Sequence, residues 1–569
     1  MKKLIILLSG CVFLFSSCND LDVFPLSEGS SESWFNSEEQ WQMSVANLYK
    51  TSYWATSSSY LVTSWWNTDD RSYRSTLLPL AAGTINGQTG YVIAAWNNSY
   101  NCIAQANILL SKIDDGAANL SEEKLNEYAA NGRFARAAQY SRLIFLFGDV
   151  PFYTSILTID EAFSLSRTDK ETILDAIYAD FDYAAEYLPE TYSSKEYQFA
   201  TKGAALAMKA RTALYNGDYS IARDAAEECI NLGIYELFPD YYTLFLNKTK
   251  NSVETIFCSA FSIDLNVKFP LNPRHYVVRT HGAWGSSTPS WDLFCSYLCT
   301  DGLPIDESPL FDPHVPFKNR DPRCAATIAE FDTEWLGIQY SCHPDTLKVM
   351  NYNTGALVDN KQNRAVTQFA TYNGLAMKKY IDEDWLDWKA DNDVILMRYA
   401  DVLLMYAEAK IELGEIDNSV LDAINKVRAR AYGVDYTETT SYPAVTTMDQ
   451  SELRKILRTE RRVEFAFEND LRLNDITRWR LAEKVLTNPD YGLLEVDDLR
   501  EKVVNPGLWF LPETPSIDED GIPDFTSLYN QGFIRLLSTR KFDAAKHYLW
   551  PIPSKEILIN PNLTQNPGY

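Results

Sequence analysis

Two stretches far apart in the chain share one spacing of small residues, and this narrows the available folds more than any other feature. Ala210 stands seven residues before Gly217-Asp218-Tyr219 with Ala222 following, and Ala407 stands seven residues before Gly414-Glu415-Ile416 with Ser419 following. Small residues at these offsets let two antiparallel helices approach closely across a tight turn, as in tetratricopeptide repeats. The two units are not contiguous. The part between them, about 236–392, is rich in Pro, Gly, Asn and aromatic residues and poor in helical stripes. The pattern predicts a mostly α protein in which tetratricopeptide-like helix pairs form a scaffold, about 91–235 and 393–485, carrying loop-rich insertions and minor β structure. The insertions fall at about 236–392 and 486–545, with a shorter one at about 432–450. Loops on a rigid scaffold are where recognition usually sits.

Local signals fill in the scaffold. Trp34, Phe35, Trp41, Val45, Leu48 and Tyr49 are spaced for a helix packed on the body. Helices are predicted from about 91 to 113 and from about 121 to 147, the second stopped by Phe147-Gly148-Asp149-Val150-Pro151. Thr168-Asp169-Lys170-Glu171 reads as a capping box ahead of Ile173, Ile177, Phe181, Ala184 and Leu188. The proline-dense end, Trp550 to Tyr569, is predicted as an extended chain along the helical body, with a single turn around Glu556. A chain of 569 residues exceeds what one hydrophobic core serves, so more than one sub-core is expected.

The first residues are an address. Met1-Lys2-Lys3, an apolar run from Leu4 to Phe15 and Ser16-Ser17-Cys18 form a positive, then apolar, then small-residue sequence. Residues 1–17 are read as a lipoprotein signal peptide, Cys18 as the lipidated residue and 18–569 as the mature chain. The acidic stretch Asn19-Asp20-Leu21-Asp22 behind the cysteine resembles the surface-export signal of lipoproteins in the Bacteroidetes group. No later run is long enough to span a membrane, so the body is expected to sit on the membrane through its lipid alone.

A formal charge of −25 excludes a nucleic-acid binder driven by phosphate electrostatics. Seven cysteines follow Cys18, an odd number and so no disulfide framework, and most are expected as small buried apolar residues. Cys295 and Cys299 with a histidine are the weak metal candidate; no zinc spacing occurs, and no metal or cofactor is expected. Asp518-x-Asp520-Gly521-x-x-Asp524 is a fragment of a calcium loop without its closing glutamate. The densest charged run, Glu460-Arg461-Arg462 with Glu464, Glu468, Arg472, Asp475 and Arg478, is read as an ion-pair lattice on a helix face. No hydrolase elbow, phosphate loop or dinucleotide fingerprint is present, so the protein is not read as an enzyme.

Several motifs, in order along the chain, resemble one family. These are Cys18 with Leu21-Asp22, the Trp96, Tyr100, Ile103, Asn107 series, and Arg133-Phe134-x-Arg136-Ala137 running to Pro151. Further on come Asp301-Gly302, Arg320-Asp321-Pro322-Arg323, Arg398-Tyr399-Ala400-Asp401 to Ala409, Asn425-x-x-Arg428-x-Arg430, Glu460 to Phe465, and Trp550-Pro551-Ile552-Pro553 to Tyr569. Together they resemble the SusD/RagB nutrient-binding outer-membrane lipoproteins. The chain departs from the family at Asn131-Gly132 and Asn469-Asp470. The resemblance implies four tetratricopeptide-like helix pairs, a SusC-like TonB-dependent transporter as partner, and oligosaccharides, or in some members peptides, as cargo.

Sugar rings stack their C–H faces on indole or phenol while hydroxyls bond to Asp, Asn and Arg. The candidate ligand-binding residues are therefore aromatics beside polar groups: Trp65, Trp66, Asp69, Asp70, Arg71 and Arg74 in one run, Trp96 and Asn101 near the family's ligand side, and Trp284 with Trp291. Neutral glycans are favoured unless Arg71, Arg74 or Arg279 offsets the negative charge locally. Peptide capture on the same architecture is one alternative; a helical glycoside hydrolase with paired carboxylates is a remote one.

Overall fold

The computed structural model describes residues 34–54, 67–73, 77–114, 120–192, 198–269 and 272–569. The signal segment, Cys18, Trp65, Trp66 and Arg74 lie outside the described residues.

Helix α1, Glu38–Leu48, is capped by Ser37 and buries Trp41, Val45 and Leu48. Helices α2, Gly90–Asp114, and α3, Glu122–Phe147, fall where the apolar spacing put them; Ser121 caps α3 and Gly148 ends it. Helix α4, Lys170–Tyr187, starts one residue later than the expected box: the Asp169 side chain accepts from the Glu171 amide. The reciprocal capping box is instead at Thr158 and Glu161, on the short helix Ile159–Ser164. Then follow α5, Lys202–Asn216, and α6, Tyr219–Asn231; α7, Tyr399–Leu413, and α8, Asn418–Ala431; and α9, Gln450–Glu464, and α10, Leu471–Arg478.

The repeated spacing has a direct structural basis. Gly217 and Gly414 end α5 and α7 in left-handed backbone, φ 86° and 73°, which glycine adopts without the steric cost of a Cβ. Ala210 and Ala407 are fully buried where the helices meet. Neighbours stack in order from α2 to α8, and α6 packs on α7 although residues 232–398 intervene. That long segment leaves and rejoins the stack at one place, because Thr255–Ser259 and Val394–Arg398 pair as antiparallel strands. Two hydrophobic cores result. One runs through the helical stack, and the second lies under the loop-rich segment, drawing on residues from Tyr241 to Ile395 and from Val463 to Ile534. The small sheets include a four-stranded meander over 334–359. Trp550 anchors the C-terminal segment by edge contacts to Tyr91 and Phe147.

Buried ions join the two cores. The charged run is structural, though its geometry is not the helix-face lattice expected from four-residue steps: α9 stops at Glu464, and the chain turns before α10. Its partners come from distant elements. Arg398 bonds Glu464 and Glu254, each at 2.7 Å, and Glu468 at 2.7 Å. Arg323 bonds Glu460 at 2.6 Å and Glu464 at 2.8 Å, Lys379 bonds Glu468 at 2.7 Å, and Arg430 bridges Glu254 and Glu464. Each carboxylate is buried but multiply paired, the condition under which a buried charge is tolerated.

Candidate functional site

Gly282 and Gly285 bracket Ala283-Trp284 with left-handed backbone, φ 90° and 50°, conformations that side chains with a Cβ rarely take. The reversal buries Ala283 and leaves the Trp284 ring 40% exposed. Backbone bonds fix the turn: the amides of Trp284 and Gly285 donate to the Arg274 carbonyl at 2.8 and 3.2 Å. The ring meets the His275 imidazole edge-to-face, centroids 4.9 Å apart, and His275 Nδ1 lies 2.8 Å from Ser286 Oγ.

Two further rings and two guanidiniums complete the cluster. The Arg274 guanidinium lies 4.9 Å from the Trp388 ring centroid and 6.0 Å from that of Trp284. Arg279 lies 5.5 Å from the ring of Phe369 and donates to the Trp284 carbonyl at 3.3 Å. Phe369 is 47% exposed. Trp388 follows the short 3₁₀ turn Glu383–Asp387 at φ 61°, a strained position for a bulky residue and one associated with functional sites. Exposed rings beside cationic donors can stack on apolar faces and bond polar groups at the ring edge.

The antiparallel strands Arg71–Tyr73 and Ser287–Pro289 pair Tyr73 with Ser287, so two candidate runs remote in sequence are adjacent in space. Their side chains, however, mostly serve the fold. Asp69 is buried and bonded by Arg462 at 2.7 Å and Arg472 at 2.8 and 2.9 Å. Burial opposes its ionisation, but these guanidiniums outweigh that effect and hold its carboxyl below the usual range. Asp70 faces Arg462 at 3.3 Å, and burial raises its pKa. Arg71 is buried, bonds Ser287 Oγ at 2.6 Å and lies over Tyr73; burial lowers its pKa to about 10. Trp291 is a core residue whose indole N–H donates to the Asn373 carbonyl at 2.8 Å and whose ring packs on Phe510. Asp69, Asp70, Arg71 and Trp291, expected to face a ligand, are instead all buried; Asp69, Arg71 and Trp291 bond groups within the protein, while Asp70 Oδ2 has no hydrogen-bond partner among the described residues.

Trp96 and Asn101 lie elsewhere, on α2. The Trp96 ring is buried, edge-on to Phe147 at 5.1 Å, and the residue lines a cleft of about 460 Å³. Asn101 is exposed at that cleft beside Tyr100, Tyr153 and Phe163. The cleft shares no lining residue with the Trp284 cluster.

Among the described residues no group of three or more His, Cys, Asp or Glu stands close enough to hold a metal ion. All seven described cysteines are free and buried. In the acidic loop, Lys484 places its ammonium 2.7 Å from Asp518 and 2.6 Å from Asp520, where a bound cation would sit. Asp292 lines a separate cavity of about 370 Å³; burial pushes its carboxyl up to about 7 against the pull of Arg540. Among the described residues, no helix is long and apolar enough to cross a membrane.

Residues 261–569 match the family described as the SusD family, and residues 21–214 match one described as starch-binding and associating with the outer membrane. The SusD-like protein P2 of Formosa agariphila is 26% identical across the full length of both chains. A crystal structure of a SusD-like carbohydrate binding protein from Bacteroides fragilis has a TM-score of 0.77 and 28% identity, covering 93% of this chain and 99% of that one. A laminarin binding SusD-like protein has the same fold, with a TM-score of 0.61 and 20% identity, covering 94% of this chain and all of the other.

Proposed function

Because the chain belongs to the SusD family, we propose that it is a non-enzymatic glycan-binding lipoprotein of the outer membrane. On this reading it is tethered through Cys18, grips glycan with the rings of Trp284, Trp388 and Phe369, and hands it to a SusC-like TonB-dependent transporter. One observation carries the reading: an indole held outward by two left-handed glycines, beside two other rings and two arginines. Flat rings at fixed positions bind sugars without reacting with them, and hydrophobic stacking rewards a rigid platform because little side-chain entropy is lost on binding. The carbohydrate binding relative from Bacteroides fragilis supports the same cargo class.

Affinity electrophoresis and calorimetry against polysaccharides and oligopeptides test the proposal. Trp284→Ala is expected to weaken every retained glycan by about tenfold, the order of one lost stacking contact. Retention of peptides alone, glycan binding indifferent to Trp284, or release of reducing ends from a polysaccharide would each overturn it.

A further inference from the structure

The Trp284 cluster carries more charge information than its rings alone. Several half-buried arginines elsewhere hold carboxylates: Arg223 bonds Glu415 at 2.7 Å, Arg454 bonds Glu412 at 2.7 Å, and Arg500 bonds Asp345 at 2.8 Å, whereas the exposed Arg480 lies over the Tyr548 ring. Arg274 and Arg279 differ from the first three. Among the described residues their side chains meet rings and the Trp284 carbonyl and form no ion pair. The turn bearing Trp388 also bears the exposed Glu383, Asp384 and Asp387, yet none of the three pairs with either guanidinium. In a chain of net charge −25, two cations at one ring platform stand without a carboxylate partner among the described residues.

We infer that this cluster selects acidic glycans, in which a carboxylate or sulfate on a stacked sugar reaches Arg274 and Arg279. The inference rests on the proposed glycan function and names its substrate class. A guanidinium lying along an aromatic ring keeps its edge N–H groups free and directed outward, the fork that binds planar oxyanions bidentately. A ring that stacks the sugar and an arginine that lies beside the same ring therefore address one residue of the polymer at two points. The negative charge of the whole molecule repels any polyanion at long range, so selectivity must arise at contact distance. This reverses the preference for neutral glycans that net charge alone suggests.

The test uses matched probes differing only in charge: polygalacturonate against its methyl ester for the carboxylate source, and dextran sulfate against dextran for the sulfate source. The wild-type protein should retain the charged member of at least one pair about tenfold more strongly than the neutral one, the effect of a charge-assisted contact. The double variant R274Q/R279Q should erase that margin, and R274K/R279K should restore part of it. Raising salt should weaken the charged probe on the wild type and not on R274Q/R279Q, where only the screened repulsion of the body remains. Equal retention within both pairs, or a charged preference untouched by R274Q/R279Q, overturns the inference. If the wild type retains both members of each pair equally and Trp284→Ala removes that retention, acid selectivity fails and the glycan-binding reading stands.

Discussion

Trp284 and Trp291 stand seven residues apart and meet opposite environments. Trp291→Ala opens a cavity among Phe510, Phe525 and Asn373 and is expected to cost about 3–5 kcal/mol. Trp284→Ala removes a half-exposed ring and should shift stability by no more than about 0.5 kcal/mol; denaturant melts of the two variants check the contrast. Glycine spacing made Trp284 legible, because two left-handed glycines around an indole point it away from the backbone's own side. The same reasoning fails at Trp291, whose polar neighbours look like a surface run. Ser290 is instead a helix cap, accepting from the Leu293 amide at 3.1 Å, and Asp292 is buried. Phe369 carries no signal in the sequence, and Trp388 reads there only as a weak candidate beside Trp385 and Trp335. Which of Trp385 and Trp388 faces outward depends on a bond from Trp385 to Asn392 and on packing against Phe269, contacts made only after the chain has folded.

At the level of elements, the helix pairs were the most readable part, since their apolar period, caps and glycine stops are local. Gly217→Ala and Gly414→Ala isolate the turn chemistry. A Cβ at Gly217 would meet nothing within 4 Å, and one at Gly414 only a side-chain tip at 4.0 Å, so the penalty is conformational alone. Each should cost about 1 kcal/mol, and the pair should add, because the turns share no partner. Thermal melts of the single and double variants measure both statements. The charged run shows where local reading stops. Four-residue steps from Glu464 to Arg472 imply one helix face, but the helix ends at Glu464, and those side chains bond partners 34 to 403 positions away. Burial decides this pattern, and no spacing rule reports burial.

For the whole molecule, the buried ions make stability depend on pH in a definite direction. Burial would raise the Asp401 carboxyl, but Arg211 and Arg461 outweigh it and bring it down from 3.8 to about 2. The same balance, with Arg430, Arg398 and Arg323, holds Glu464 below its usual range. A folded-state value below the unfolded one means stability that is complete above about pH 4 and is lost as pH falls through the folded value. Asp401 alone contributes about 2 kcal/mol in this way. Urea midpoints measured from pH 6 down to pH 2 should therefore fall steadily below about pH 4. Asp401→Asn should flatten part of that slope while lowering stability at neutral pH. Because Arg398 and Glu464 connect both cores, fluorescence from the loop-rich segment and circular dichroism of the helices should report one transition.

The strand pair Thr255–Ser259 and Val394–Arg398 acts as the neck of a long excursion. Whatever happens between those two strands begins and ends a few ångströms apart, on a helical stack that closes α6 against α7 whether the excursion is long or short. Rings and charges on the loops between those strands can therefore change without moving the point at which the chain leaves and rejoins the helices.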